Sequence, residues 1–136
     1  MLAAVLALLF PIVAVAQTPR DPIITALEKR IAGREQEPAE TVFTNIRTLT
    51  GMPAIRVLRV MEQAFVPNLG VTCQHCHVDG DWASDAKAAK NITRGMWALR
   101  GRTQDDVRAA TGNATAVVTC YTCHKGQPKP AFAPGR

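Results

Sequence analysis

Apolar residues recur at intervals of three and four along much of this chain, a spacing typical of amphipathic helices. The first such segment begins at Asp21 and Pro22, which suit the N-cap and first turn of a helix, and Gly33 suits its end. A second helix is predicted from Pro38 to a point before Gly51. The apolar faces of these helices consist of Ile24, Leu27 and Ile31 in the first, and of Val42, Phe43, Ile46 and Leu49 in the second.

The clearest amphipathic segment covers residues 53–65. Its apolar positions are Ala54, Val57, Leu58, Met61, Ala64 and Phe65. Pro67 and Gly70 predict a turn directly after it. We therefore expect the segment that enters Cys73 to fold back alongside this helix.

Two further helices are predicted in the second half of the chain. Ser84 and Asp85 suit the start of the first, and Gly101 suits its end. Its apolar stripe consists of Ala89, Ile92, Met96 and Leu99. Thr103 suits the start of a shorter helix that ends at Gly112. No segment has the alternating pattern of a strand, so the predicted fold class is all-α.

The 136 residues of the chain allow one modest domain. Residues 1–16 have no charged side chain and end in Ala14-Val15-Ala16, which predicts an export signal removed after Ala16. A retained membrane anchor is the alternative, although 16 residues fall short of the roughly 20 that span a bilayer. The predicted organisation is a signal peptide at 1–16, a helical extension at 17–40, a main domain at 41–128 and a Pro-rich tail at 129–136.

Charge and composition narrow the function further. The 16 basic and 11 acidic residues are interspersed, and their net charge of +5 includes no basic run of the kind that binds nucleic acid. Aromatic residues make up only 5% of the chain, and there are nine glycines and nine prolines. The predicted core is therefore thin, and a bound group could complete it.

All four cysteines belong to two C-x-x-C-H motifs, "CQHCH" at 73–77 and "CYTCH" at 120–124. In a helical turn, residues i, i+3 and i+4 share one face. Two sulfurs can then bond the vinyl groups of a porphyrin while the histidine reaches the iron, which is the arrangement of covalent haem. The motifs predict one haem held by Cys73, Cys76 and His77, and a second held by Cys120, Cys123 and His124.

Other uses of the four cysteines explain less of the pattern. Disulfides are the ordinary outcome for an exported chain. A zinc site would need only the cysteines, and the 43 residues between Cys76 and Cys120 exceed the usual spacing. A thioredoxin-like pair would need a βαβ context that the chain lacks. The third histidine, His75, lies off the face shared by the motif and is interpreted as a partly exposed residue.

Methionine is the natural sixth ligand of each iron, because the motifs use the other two histidines. Apart from Met1, the chain offers Met52, Met61 and Met96. Met61 lies on an apolar helix face 12 residues before Cys73, and Met96 lies on another 24 residues before Cys120. We therefore predict Met61 as the distal ligand of the first haem and Met96 as that of the second. Met52 precedes a proline and is predicted not to bind iron.

Three segments resemble the cytochrome c subunit of photosynthetic reaction centres and related small multihaem cytochromes. They are "VFTNIRTLTGMP", "VMEQAFVPNLGVTCQHCHVDGDWASDAKAAKNITRGM" and "VTCYTCHKGQPKP", within residues 42–130. By this resemblance, Met61 and Met96 match the distal methionines of one haem pair. That family's subunit has four haems, and residues 101–119 lack a histidine that it uses for a different haem. The resemblance therefore implies a reduced, dihaem version built from repeated helix–turn–CxxCH units.

The expected function is electron transfer between redox proteins outside the cytoplasm, with two covalent haems and no substrate of its own. Donor and acceptor proteins, including a membrane complex, are the expected partners. Two alternatives remain. The chain could be an enzyme, such as a dihaem peroxidase or a sulfur-compound oxidoreductase, which requires an open iron site. It could instead be an anchored haem subunit of a respiratory or photosynthetic membrane complex.

Overall fold

The computed structural model describes residues 20–131, and the predicted signal peptide lies outside them. The helices are α1 (Pro22–Arg30), α2 (Ala39–Val42), α3 (Ala54–Val60), α4 (Val66–Leu69), α5 (Cys73–Cys76), α6 (Ala88–Thr111) and α7 (Cys120–His124), and a π-helical turn (Met61–Phe65) joins α3 to α4. Within residues 20–131 the only β structure consists of isolated bridges, Pro38 with Pro53 and Val78 with Asp81. The all-α prediction is confirmed.

Helix α1 forms as its sequence predicts. The Asp21 carboxylate accepts a hydrogen bond of 2.8 Å from the Ile23 amide, which caps the helix. Ile24 and Ile31 are buried against Ala54 and Leu58 of α3. Burial of one such side chain contributes about 1.5–3 kcal/mol. The N-terminal segment is thereby attached to the helix that precedes the first C-x-x-C-H motif.

The prediction of a long second helix from Pro38 is wrong. Between Pro38 and Gly51 only the four residues of α2 are helical. Phe43 is extended, and Asn45 and Leu49 have left-handed backbones with φ of 66° and 62°. The segment is rich in threonine and other β-branched residues, which lose side-chain freedom in a helix. Leu49 still reaches the core with Ala39 and Val57, so the apolar pattern reflects burial rather than a helix.

The turn predicted at residues 67–70 is made at Gly70, whereas Pro67 and Asn68 lie within α4. The backbone passes from α3 through the π-turn, in which the amide of Val66 bonds to the carbonyl of Met61. Pro67, which has no amide hydrogen, occupies the first turn of α4, where that hydrogen is not needed. The chain reverses at Gly70, whose φ is +61°. After Gly70 the chain folds back and leads into Cys73, as predicted.

The two helices predicted between 84 and 112 are one. Helix α6 runs for 24 residues from Ala88, passes through Gly101 and ends at Gly112, whose φ is +64°. A glycine inside a helix costs only about 1 kcal/mol, which the neighbouring turns offset. Asp85 does not cap the helix, whose N-cap is Lys87, and its carboxylate pairs with Arg94. No helix among residues 20–131 is long and apolar enough to cross a bilayer.

Gly70 tests the contact between the end of α4 and the second motif. A β-carbon at Gly70 would collide with the Gly126 carbonyl, and its left-handed backbone costs other residues about 1–2 kcal/mol. We expect Gly70→Ala to lower the thermal midpoint, measured by circular dichroism, by at least roughly 4–8 °C. Gly95→Ala, in open space inside α6, should hold or raise it. A Gly70→Ala protein as stable as Gly95→Ala would contradict this packing.

Candidate haem-binding sites

The first C-x-x-C-H motif forms a single helical turn followed by a histidine with an extended backbone. The His77 amide donates to the Cys73 carbonyl over 3.0 Å and closes the turn. His77 Nδ1 lies 3.0 Å from the Trp82 carbonyl. A carbonyl only accepts, so this contact places the proton on Nδ1 and leaves the lone pair of Nε2 available to a metal.

Burial keeps His77 uncharged. It lowers the pKa of His77, the Trp82 carbonyl opposes this shift, and nearby cations, Lys90 foremost, lower it further. A neutral imidazole is the form that binds iron. His77 therefore has both the tautomer and the protonation state of a ligand.

The first cleft brings the predicted ligands of the first haem together. Met61, Cys73, Cys76 and His77 line one opening of about 850 Å³, part of it open to solvent. Its remaining lining is largely apolar, with Leu49 and Phe65 among the residues that contribute it. A flat apolar ring with polar groups at one edge suits such a cleft.

A group of basic side chains forms one wall of the first cleft. Arg47, Lys90 and Arg94 line it, and all three pair with Asp85, at 3.1, 3.5 and 2.9 Å. Burial opposes ionisation of Asp85, but hydrogen bonds from Arg94 and Asn45 outweigh it and lower the pKa of the carboxyl. Three cations against one carboxylate leave this wall positive.

The second motif forms helix α7 with its own cap. Thr119 and Thr122 form a capping box that fixes the start of the turn. His124 Nδ1 lies 3.0 Å from the Gln127 carbonyl, so its Nε2 is also free. The two histidines are thus oriented by the same kind of contact.

The second cleft contains the predicted ligands of the second haem. Met96, Cys120, Cys123 and His124 line an opening of about 710 Å³. Met96 is 38% exposed, although it is a large apolar residue. The cleft also holds Arg100, whose buried Nε has no hydrogen-bond partner. An apolar wall with an unpaired buried donor fits a ligand that is mostly apolar and carries acceptor groups.

The two clefts share a wall and are not independent. Phe65, Leu69 and Thr93 line both of them. Trp97 lines the second cleft and packs edge-on against Phe65 at 5.7 Å between ring centroids. Unlike Trp97, the aromatic residue that follows Cys120, Tyr121, is exposed to solvent. A ligand in one cleft would lie one layer of side chains from a ligand in the other.

His75 is exposed, as its position between the cysteines indicates, but it also lines the second cleft. Sequence reasoning missed this because the fold-back of α5 against α6 decides it. Arg47, Lys90 and Arg94 were missed for the same reason, since nothing in their spacing links them to Cys73. Met52 packs in the core with Val57.

The donor set suits haem. All four cysteines are free thiols, and burial raises the pKa of the Cys73 and Cys120 thiols. Each cleft combines paired thiols, the imidazole of its own motif and one thioether sulfur, and the second also includes the imidazole of His75. Imidazole and thioether are ligands that haem iron takes in c-type cytochromes. Among residues 20–131, no group of three or more His, Cys, Asp or Glu side chains could hold a metal ion.

These features define a small all-α protein with two C-x-x-C-H clefts, and such motifs are typical of c-type cytochromes. Residues 13–133 match the family described as the photosynthetic reaction centre cytochrome C subunit, and the chain belongs to that family. It is 36% identical over 98 residues to the photosynthetic reaction center cytochrome c subunit of Thermochromatium tepidum, which covers 70% of this chain. The predicted family is confirmed.

Other proteins similar to this chain are also cytochromes. The corresponding subunit of Rubrivivax gelatinosus is 30% identical over 83% of this chain, and cytochrome c-554 of Chloroflexus aurantiacus is 32% identical over 62%. The chain spans only 23%, 29% and 20% of the lengths of these three relatives. No solved structure matches the chain.

Substitution of Asn45 tests the hydrogen bonds that connect two segments lining the first cleft or next to it. Its Nδ2 donates to the Ala83 carbonyl at 2.6 Å and to Asp85 at 2.8 Å, which ties the loop after α2 to the segment before α6. Asn45→Ala should lower the free energy of unfolding by about 1–3 kcal/mol, because two hydrogen bonds are lost and a left-handed backbone is strained.

Asn45→Gly separates the two causes, since it removes the hydrogen bonds without the strain. Its stability in chemical denaturation should fall between those of Asn45→Ala and the native chain. An Asn45→Ala protein as stable as the native one would show that this contact does not hold the loop.

Proposed function

We propose that this chain is a dihaem c-type cytochrome that transfers electrons between redox proteins outside the cytoplasm. The observation that supports this most directly is the composition of the two clefts. Each contains one complete C-x-x-C-H motif and one methionine, Met61 in the first and Met96 in the second. Family membership supports the same class of cofactor.

Each residue has a defined role in this proposal. Cys73 and Cys76 attach the first haem through thioethers, with His77 as proximal and Met61 as distal ligand. Cys120 and Cys123 attach the second haem, with His124 as proximal and Met96 as distal ligand. With a histidine and a methionine both bound, neither iron would have a position for a substrate, which would suit a carrier rather than an enzyme.

Haem supplies a one-electron ferric–ferrous couple when bound. The protein orients the imidazoles through the Trp82 and Gln127 carbonyls and excludes water with apolar walls. Thioether ligation favours the ferrous state more than a second imidazole does, so we expect mid-to-high potentials at both sites. Phe65 and Thr93 line both clefts and would therefore lie between the two haems.

The proposed setting is the periplasm or another extracytoplasmic space, reached by export and cleavage after Ala16. The partners would be a redox donor and an acceptor protein, one of which could belong to a membrane complex. In this organisation residues 41–128 form the dihaem domain, residues 17–40 a helical extension and residues 129–136 a tail.

The number of covalent haems is the first test of this proposal. The intact mass of the exported protein should include two haem additions, and acidified acetone should extract neither. Cys76→Ala should leave the first haem attached by one thioether or lost, with the second unchanged, and Cys123→Ala should do the reverse. A mass without two additions would refute the dihaem proposal.

The distal methionines are tested by their effect on redox potential. Met96→His should lower the potential of the second haem, because imidazole stabilises ferric iron better than a thioether does. We expect at least a tenfold change in the reduced-to-oxidised ratio, or about 59 mV for one electron, by spectroelectrochemical titration. Met61→His should act in the same way on the first haem.

Met52→Leu is the matched control, because Met52 packs in the core and should leave both potentials unchanged. Both ferric irons of the native protein should be low-spin and show methionine-to-iron charge transfer in the near infrared. A high-spin iron that binds peroxide or cyanide readily would contradict the carrier and favour the enzyme alternative.

A further inference from the structure

Lys90 lies against the carbonyl that orients His77. Its side chain is only 11% exposed, and its Nζ donates to the Trp82 carbonyl at 2.9 Å and to the Ser84 carbonyl at 2.8 Å. Asp85 is 3.5 Å away and is shared with two arginines. These oxygen atoms provide the ammonium group with the hydrogen-bond and ion-pair partners that a buried polar group needs.

The Trp82 carbonyl thus has two donors, Lys90 Nζ and His77 Nδ1. A cationic donor attracts the electron density of the oxygen, so this carbonyl accepts less strongly from the imidazole. The second site lacks this feature, because among the described residues no cationic side chain bonds to the Gln127 carbonyl that His124 contacts. The two histidines therefore have different electronic environments, although their geometry is alike.

We propose that Lys90 is a positioning residue for His77 and that it raises the reduction potential of the first haem. This inference rests on the proposed dihaem function. Ferric haem has one more positive charge than ferrous haem, so a fixed cation disfavours the oxidised state. A proximal imidazole with a weakened Nδ1 hydrogen bond also donates less electron density to iron, and this acts in the same direction.

Asp85 has the opposite effect. Its carboxylate faces Lys90, Arg94 and Arg47, and it reduces the positive potential that these three side chains place on the cleft. Asp85→Asn keeps the shape of the side chain and an acceptor oxygen for Asn45, but it removes the charge. Lys90 and Asp85 variants should therefore shift the first potential in opposite directions.

The experiment compares Lys90→Met with Lys90→Arg and Lys29→Met in the holoprotein. In Lys90→Met we expect the reduced-to-oxidised ratio of the first haem at a fixed potential to fall by on the order of tenfold, or about 59 mV. Lys90→Arg keeps the cation and should restore most of the native value. Lys29, exposed in the last turn of α1, should have no effect. Met61→His and Met96→His identify which titration step belongs to which haem.

A second readout reports on His77 itself. The electron paramagnetic resonance g-values of the first ferric haem respond to the basicity of the axial imidazole, so they should change in Lys90→Met while those of the second haem do not. Equal shifts of both haems would indicate a general surface-charge effect and overturn the proposal. A first potential that is the same in Lys90→Met and Lys29→Met would also overturn it.

The Asp85→Asn variant distinguishes an electrostatic effect from damage to the fold. It also tests the proposal if the Lys90→Met protein does not accumulate. It should raise the first potential, whereas exposure of the haem to water would lower it. An unchanged or lowered potential in Asp85→Asn would refute the role of this charge group. Wild-type protein without two haems would refute the proposed function, whereas two haems with no response to Lys90 would refute only this inference.

Discussion

Both clefts depend on one kind of contact, the hydrogen bond between a histidine Nδ1 and a backbone carbonyl a few residues further along the chain. His77 makes it with Trp82, and His124 makes it with Gln127, each at 3.0 Å. Because a carbonyl only accepts, the contact selects one tautomer and one ring orientation. The loops at 78–82 and 125–127 therefore fix which ring nitrogen of each histidine has its lone pair available.

The rest of the fold places two clefts back to back around these rings. The π-turn at 61–65 widens the helix, with Met61 at the first cleft and Phe65 in the wall common to both. Helix α6 passes along both clefts, so Thr93 lines each of them and Met96 lines the second. The two motifs are similar in sequence, yet their methionines come from helices of different kinds. A change in the shared wall would act on both clefts.

The clefts differ most in their charge. Three basic side chains that share Asp85 form a wall of the first, whereas Arg100 lines the second with an unpaired buried Nε. Such groups affect a redox centre over several ångströms because the apolar lining screens them poorly. If each cleft binds a haem as proposed, this difference in charge would give the two haems different potentials without any change of ligand.

The sequence by itself determined the family and the candidate haem ligands, because the C-x-x-C-H motifs and the supply of methionines are local features, as is the cap of the first helix. It also indicated which residues are buried, including Leu49, even where it predicted the wrong backbone. Tertiary structure alone decided the continuity of α6 through Gly101, the helical position of Pro67 and the contact of Lys90 with the Trp82 carbonyl. Local sequence patterns indicate none of these, because the folded chain as a whole can outweigh a local preference of about 1 kcal/mol.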